Sequence, residues 1–120
     1  MKEIKTMKDQ LYLLRPGFHN AGVGPLYCND SAPVEGMLSF FPTLRTLVDV
    51  HYLGFPRPRR VLVEALGEQH QGLPVLILAA DRKLSEAAPE PQSSGDKRFY
   101  ANERQIRDYL SAQYGMAEAS

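Results

Sequence analysis

The sequence has one cysteine, no excess of charge and no long apolar run, and each shortage excludes a class of protein. A single cysteine cannot form a disulfide within the chain, so a reducing cytoplasm is the expected compartment. Because 14 basic residues balance 14 acidic ones, the chain lacks the basic excess typical of nucleic-acid binders. The longest apolar run, residues 73–80, is too short to span a bilayer. Residues 1–10 are charged and lack an apolar stretch, so we expect no signal peptide.

The 120 residues, of which 43% are hydrophobic, suffice for one compact domain. Apolar periodicity predicts strands near residues 11–14, 47–53, 75–78 and 98–101, and helices near residues 34–41, 61–66 and 102–114. The predicted order is therefore β-α-β-α-β-β-α, an α/β domain. Residues 15–27, rich in glycine and proline, are interpreted as a long loop. We predict an N-terminal extension over residues 1–10, a domain over residues 11–115 with a flexible loop at 84–97, and a tail over residues 116–120.

Three features of this order point to chemistry. Cys28 stands just before the first helix, where backbone amides stabilise a thiolate, which is the reactive form of the side chain. Pro74 follows Leu73 directly before a strand that is apolar throughout, and a proline there favours a special geometry such as a cis peptide bond. Asn102 and Glu103 begin the last helix, where unpaired amides attract a carboxylate.

Taken together, these features resemble the thioredoxin-like superfamily, in its branch of glutaredoxins and glutathione-transferase N-terminal domains. Tyr27-Cys28-Asn29-Asp30-Ser31 stands at the place of the branch's Cys-x-x-Cys or Cys-x-x-Ser motif. Gly72-Leu73-Pro74-Val75 is similar to the segment that carries its cis-proline, and the segment from Asn102 to Ile106 is similar to the one that holds the γ-glutamyl end of glutathione. The closest resemblance is to a bacterial thioredoxin-like family without an assigned function.

The resemblance implies a four-stranded mixed sheet, with the first two strands parallel and the last two antiparallel, flanked by three helices. It implies that Cys28 is the nucleophile, with Ser31 and helix amides as its stabilisers. The backbone at Leu73-Pro74 would pair with the main chain of a ligand. Asn102 and Glu103 would hold the amino-acid end of glutathione, the expected thiol co-substrate, and the partner would be a small-molecule or protein thiol.

The chain departs from the closest family pattern. Ser31 stands where that pattern often has a second cysteine, so only a monothiol route remains, in which an external thiol resolves a mixed disulfide on Cys28. Asp30 brings a negative charge close to the sulfur, which opposes thiolate formation. No tightly bound cofactor is expected, and no metal, because His19, His51 and His70 have no ligand spacing with one another or with Cys28.

Structural interpretations stay open beside the chemical ones. Cys28 is equally explained as a small buried apolar residue, and Ser31 and Asn102 as helix N-caps. The arginines at 57, 59 and 60 are interpreted as a solvated helix start, with an anionic partner as the alternative. The competing functions are a non-catalytic module that binds a protein partner and an iron–sulfur dimer bridged by glutathione. The oligomeric state is left open.

Overall fold

The structure, a computed structural model, describes residues 7–120. Its strands are β1 (Asp9–Leu14), β2 (Phe18–Asn20), β3 (Val23–Leu26), β4 (Val48–Leu53), β5 (Val75–Ile77), β6 (Gln92–Ser94) and β7 (Lys97–Tyr100). Its helices are α1 (Ser31–Phe40), α2 (Leu44–Leu47), α3 (Arg60–Leu66) and α4 (Glu103–Tyr114). Within residues 7–120, none of the helices has the length and apolar character needed to cross a membrane.

Five strands form one mixed sheet in the order β4-β1-β5-β7-β6. β1 pairs in parallel with β4, with Leu11 opposite Val50, and antiparallel with β5, with Leu11 opposite Leu76. β7 is antiparallel to both β5 and β6. A parallel pair needs a crossover connection, and the segment that contains α1 supplies it between β1 and β4. This connection brings the start of α1 back to the carboxyl end of β1.

The α/β class, the mixed sheet and the pairing of the predicted strands are observed, but two counts were wrong. The main sheet has five strands rather than four, because β6 adds an edge strand beside β7. The described chain has four helices rather than three, because a one-turn helix, α2, follows the break at Pro42. The break itself lies where the proline predicts it, since α1 ends at Phe40.

Both extra hairpins lie in segments predicted as loops. Within residues 15–27, β2 and β3 form a separate two-stranded sheet, with Asn20 opposite Val23. Its turn residues, Ala21 and Gly22, have φ values of 52° and 79°, the positive values that a two-residue hairpin turn requires. Within residues 84–97, Gly95 has a φ of 59° in the turn between β6 and β7. The predicted flexible loop therefore contains a strand, while its mobility stays a prediction.

The core lies on both faces of the main sheet. Leu11 and Leu13 of β1 face a cluster covered by α1 and α4, whereas Tyr12 faces a second cluster covered by α3. This alternation is the period of a strand, in which neighbouring side chains point to opposite faces. Burial of each leucine contributes roughly 1.5–3 kcal/mol. The molecule is thus a three-layer α/β/α domain.

Asp9 ties the start of β1 to the end of α4. Its carboxylate is fully buried and accepts hydrogen bonds from the Tyr109 hydroxyl, from the Tyr114 hydroxyl at 2.7 Å and from the Ala79 amide at 2.8 Å. Arg82 Nε supplies the opposite charge at 3.1 Å. The first strand therefore begins at Asp9, inside the segment predicted as an extension over residues 1–10. Residues 1–6 of that extension lie outside the described residues.

Candidate functional site

Cys28 follows the β2–β3 hairpin and precedes α1, and its side chain is half-buried. The Ser31 backbone N–H, the first of the helix, donates a hydrogen bond to Cys28 Sγ over 3.3 Å. The N-cap residue, Asp30, makes no side-chain cap, so the cysteine sulfur occupies the place that an oxygen fills in most helix caps. An amide dipole at a helix N-terminus favours a negative charge on the group it contacts. Cys28 Sγ therefore lies against the positive end of the α1 dipole.

Ser31 contributes its backbone, rather than its hydroxyl, to the sulfur. The side chain is 5% exposed, and its Oγ accepts a hydrogen bond of 3.1 Å from the Leu14 amide. This bond joins the carboxyl end of β1 to the start of α1. The interpretation of Ser31 as the N-cap was wrong, because Ser31 is the first residue inside the helix.

The Leu73 carbonyl oxygen approaches Cys28 from the side of β5. It lies 4.0 Å from Sγ, at the outer limit of a weak S–H···O contact. The Leu73–Pro74 peptide bond is cis, as the sequence predicted, and Pro74 is buried directly before β5. The structure thus brings together three residues that the sequence singled out: Cys28, Ser31 and Leu73.

Arg59 is a buried cation beside this group, and only 9% of it is exposed. Its guanidinium donates to the carbonyl oxygens of Gly54, Phe55 and Gln71 over 2.6–3.2 Å. No carboxylate of the described chain forms an ion pair with it. Burial lowers the pKa of Arg59 and the positive charge of Arg57 lowers it further, whereas a negative charge on Cys28 would act in the opposite direction.

The predicted solvated arginine cluster needs a correction at this position. Arg57 and Arg60 are exposed, but Arg59 is turned inward. Arg59 turns inward because carbonyl groups of two neighbouring loops need hydrogen-bond donors. The planar guanidinium reaches all of them at once. Because Gln71 stands two residues before Leu73, Arg59 also fixes the segment that faces the sulfur.

A pocket of about 240 Å³ opens on the other side of Cys28, toward β4. Its apolar walls are formed by Leu13, Leu14, Pro16, Tyr27 and Ala32. Glu35 of α1 and Tyr52 of β4 form its polar wall. The Tyr52 hydroxyl donates to both Glu35 carboxylate oxygens, at 2.8 and 3.0 Å, and burial raises the pKa of Tyr52. The phenol thus stays a neutral donor at physiological pH.

Asn102 and Glu103 are engaged at the start of α4. Asn102 Oδ1 accepts a hydrogen bond of 3.0 Å from the Gln105 amide, which makes it the N-cap of the helix. Glu103 pairs with Arg107 one turn later at 2.7 Å. Neither residue lines the pocket beside Cys28. Among residues 7–120, no group of three His, Cys, Asp or Glu side chains is arranged to hold a metal ion.

Sequence reasoning missed Arg59, Glu35 and Tyr52 as residues of the site. Glu35 and Tyr52 are 17 positions apart and meet only through packing of α1 beside β4, so no spacing joins them. The burial of Arg59 depends on carbonyls of other loops, which the sequence does not display. The one available signal was the alternation in β4, which placed Tyr52 on the same face as Val48 and Val50.

The comparisons with known proteins identify a family. The family described as "Protein of unknown function (DUF3088)" matches residues 8–118, and the chain belongs to this family. No curated protein and no solved structure matches the chain.

Proposed function

We propose that the protein is a cytoplasmic, thioredoxin-like monothiol protein in which Cys28 exchanges disulfides with glutathione or a related small thiol. The sheet supports the proposed relationship. A parallel pair, β1 and β4, is extended by the antiparallel strands β5 and β7, and the cysteine precedes the first long helix. The edge strand β6 and the hairpin of β2 and β3 are additions to that arrangement.

The observation that carries the proposal is the 3.3 Å hydrogen bond from the Ser31 amide to Cys28 Sγ. The Ser31 amide is the first N–H of α1, and a helix N-terminus favours a negative charge on a group in contact with it by roughly 0.3–1 kcal/mol. Arg59 adds a buried positive charge without a carboxylate partner among the described residues. Both effects act on the ionised form of the sulfur, which is the nucleophile.

The proposed reaction needs two thiol–disulfide exchanges. The Cys28 thiolate attacks one sulfur of a disulfide between glutathione and a second thiol, the S–S bond breaks, and the second thiol leaves as a thiolate that takes a proton from water. A glutathione thiolate then attacks the glutathione sulfur of the mixed disulfide. It releases the Cys28 thiolate and oxidised glutathione, so glutathione supplies the two electrons.

The backbone around Leu73 is the proposed binding edge for the main chain of glutathione. Its carbonyl lies 4.0 Å from Sγ, so a ligand joined to the sulfur is within reach of this oxygen. Asn102 and Glu103 remain proposed contacts for the amino-acid end, through the backbone amides at the start of α4. The side chain of Asn102 already caps the helix, and that of Glu103 already pairs with Arg107.

The experiment is the reaction of the folded protein with iodoacetamide and with oxidised glutathione at neutral pH, followed by intact mass. Because the chain has one cysteine, every adduct on sulfur reports Cys28, and Cys28→Ser is the blank. We expect alkylation at least about twofold faster than that of a model thiol, and one glutathione per chain. If Cys28 reacts only after denaturation, the proposed function is wrong, and the protein is a non-catalytic module.

A further inference from the structure

The helix α1 has an apolar stripe on a side that faces away from the sheet. Pro33, Gly36, Met37 and Phe40 stand at positions i, i+3, i+4 and i+7, so they share one side of the helix. Pro33 is exposed, and Phe40, at 82%, is the most exposed large apolar residue of the described chain. An exposed ring beside further apolar surface marks a site of contact with another molecule.

A groove of about 370 Å³ lies beside this stripe, between α1 and the end of the chain. Ser111 of α4 and Ala117 form its far wall, and Gly36 lies on its near wall. A Cβ atom added to Gly36 would contact no atom outside its own helix within 4 Å, so the space above this residue is open. Because a cavity of about 150 Å³ accepts benzene, the groove has room for one phenyl ring.

The charges around the stripe and the groove are balanced or lie in solvent. Glu35, the one charged residue of α1, pairs with Arg45 at 3.2 Å and lines the pocket beside Cys28 rather than the groove. Arg107 of the groove wall pairs with Glu103 at 2.7 Å, and Glu118 lies at the exposed rim. A charged surface placed here would lose water without gaining an unpaired opposite charge inside the groove. The surface that fits the stripe is therefore apolar and uncharged, as the stripe itself is.

We propose that a second copy of this chain covers the stripe, with the two α1 helices crossing antiparallel about a two-fold axis. In such an interface one patch serves both copies, so a contact from residue i to residue j is repeated from j to i. The midpoint between Pro33 and Phe40 falls at Gly36 and Met37, where the missing side chain of Gly36 lets the two helices approach closely. An axis at this midpoint places Phe40 of each copy against Pro33 and the groove of the other.

The proposed dimer leaves Cys28 accessible. Ala32 and Glu35 line the pocket beside Cys28, whereas Pro33 and Gly36 line the groove, so the two openings lie on different sides of α1. The inference therefore goes beyond the proposed function and holds whether or not the thiol reacts. The groove and stripe supply fewer residues than the roughly 20–30 per partner of a stable interface, so the dimer should dissociate on dilution through the micromolar range.

Sedimentation velocity of the full chain over a range of concentrations tests the proposal, with a phosphine reductant present so that Cys28 cannot join two copies. We expect a reversible monomer–dimer equilibrium. Phe40→Glu should raise the dissociation constant by at least about thirtyfold, as for an aromatic residue at the centre of an interface. Val23→Glu, a matched change at an exposed apolar residue of the β2–β3 hairpin, should leave the constant unchanged.

Pro33→Lys tests the antiparallel arrangement. Alone, it should weaken the dimer, because each introduced lysine faces the ring of Phe40 in an apolar contact. Mixed with Phe40→Glu in equal amounts, it should form a heterodimer at least about tenfold tighter than either homodimer. The axis places the introduced lysine of one copy beside the introduced glutamate of the other, while the second contact between Pro33 and Phe40 is retained.

The outcomes decide the proposal without the chemistry of Cys28. A monomer at every concentration would overturn it, and so would a dimer that Phe40→Glu and Val23→Glu weaken equally. A mixture without heterodimer would overturn the antiparallel arrangement. Circular dichroism of each variant checks that it folds. Should Pro33→Lys fail to fold, the comparison of Phe40→Glu with Val23→Glu still decides, since both residues are exposed.

Discussion

At the scale of single residues, the atoms that contact the Cys28 sulfur belong to the backbone. Ser31 offers its N–H and Leu73 its carbonyl oxygen. A side chain at either position is therefore replaceable without removal of the contacting atom. Substitutions at these positions therefore distinguish effects on stability from effects on the reactivity of Cys28. The role of the Ser31 hydroxyl can be tested in this way.

Replacement of Ser31 by alanine should lower the free energy of unfolding by about 1–2 kcal/mol, because it leaves the buried Leu14 amide without its acceptor. The alkylation rate of Cys28 should change by no more than about twofold, since the amide that contacts Sγ remains. Urea denaturation and alkylation kinetics measure the two effects. Ser39→Ala, on an exposed face, controls for helix propensity. A large loss of reactivity with unchanged stability would contradict this division.

Replacement of Arg59 by methionine should cost about 2–4 kcal/mol of stability, because three carbonyl groups lose a charged donor. Alkylation of Cys28 should also slow, since the nearby positive charge is gone and the segment before Leu73 is released. Arg60→Met, at the exposed neighbour, should change stability by less than about 0.5 kcal/mol. Equal effects of the two substitutions would mean that Arg59 acts only through net charge.

At the scale of elements, substitutions of Asn102 at the start of α4 distinguish a capping role of this residue from a role in ligand binding. Asn102→Ala removes the side-chain acceptor of the Gln105 amide and should cost about 1 kcal/mol, whereas Asn102→Asp should retain most of that energy. If the amides of this helix also hold glutathione, Asn102→Asp should slow the reaction with oxidised glutathione more than that with iodoacetamide, because it adds a negative charge beside them. Equal slowing would assign Asn102 to the cap alone.

The elements that the sequence predicted well are those whose own residues determine them. The cap at Asn102 and the stop at Gly115, which adopts a left-handed conformation, define α4 from local residues. The two hairpins were missed because Ala21 occupies a turn position that glycine or asparagine usually marks, and because Gly95 stands in a polar run. The resemblance to the thioredoxin-like superfamily predicted that Cys28 and Leu73 lie together, but contacts that depend on tertiary packing, such as those of Arg59, leave no local pattern.

At the scale of the whole molecule, one buried and one partly buried tyrosine, Tyr100 and Tyr114, make stability depend on alkaline pH. Burial raises the pKa of Tyr100 and of Tyr114 to about 12, and the carboxylate of Asp9 acts in the same direction. Between about pH 10 and 12 the unfolded chain loses these phenolic protons and the folded chain keeps them. The free energy of unfolding should therefore fall with rising pH, by up to about 1.4 kcal/mol per unit for each group.

Urea denaturation at a series of alkaline pH values measures this dependence. Tyr114→Phe removes one of the phenols, so its stability should fall less steeply with pH, although it starts lower because a hydrogen bond to Asp9 is lost. Tyr27→Phe, at an exposed position, should leave the slope unchanged. A slope that is the same in all three proteins would place the alkaline sensitivity elsewhere in the molecule.

The hydrogen bond between Asp9 and Tyr114 also has a consequence for fusion of this domain to other proteins. Asp9 begins the first strand and Tyr114 ends the last helix, and their side chains touch. The start of the first strand and the end of the last helix therefore lie within reach of two side chains. A domain with this arrangement can be inserted into a surface loop of a host protein without a large separation of the two ends of that loop. It also tolerates circular permutation through a short linker between its first strand and its last helix.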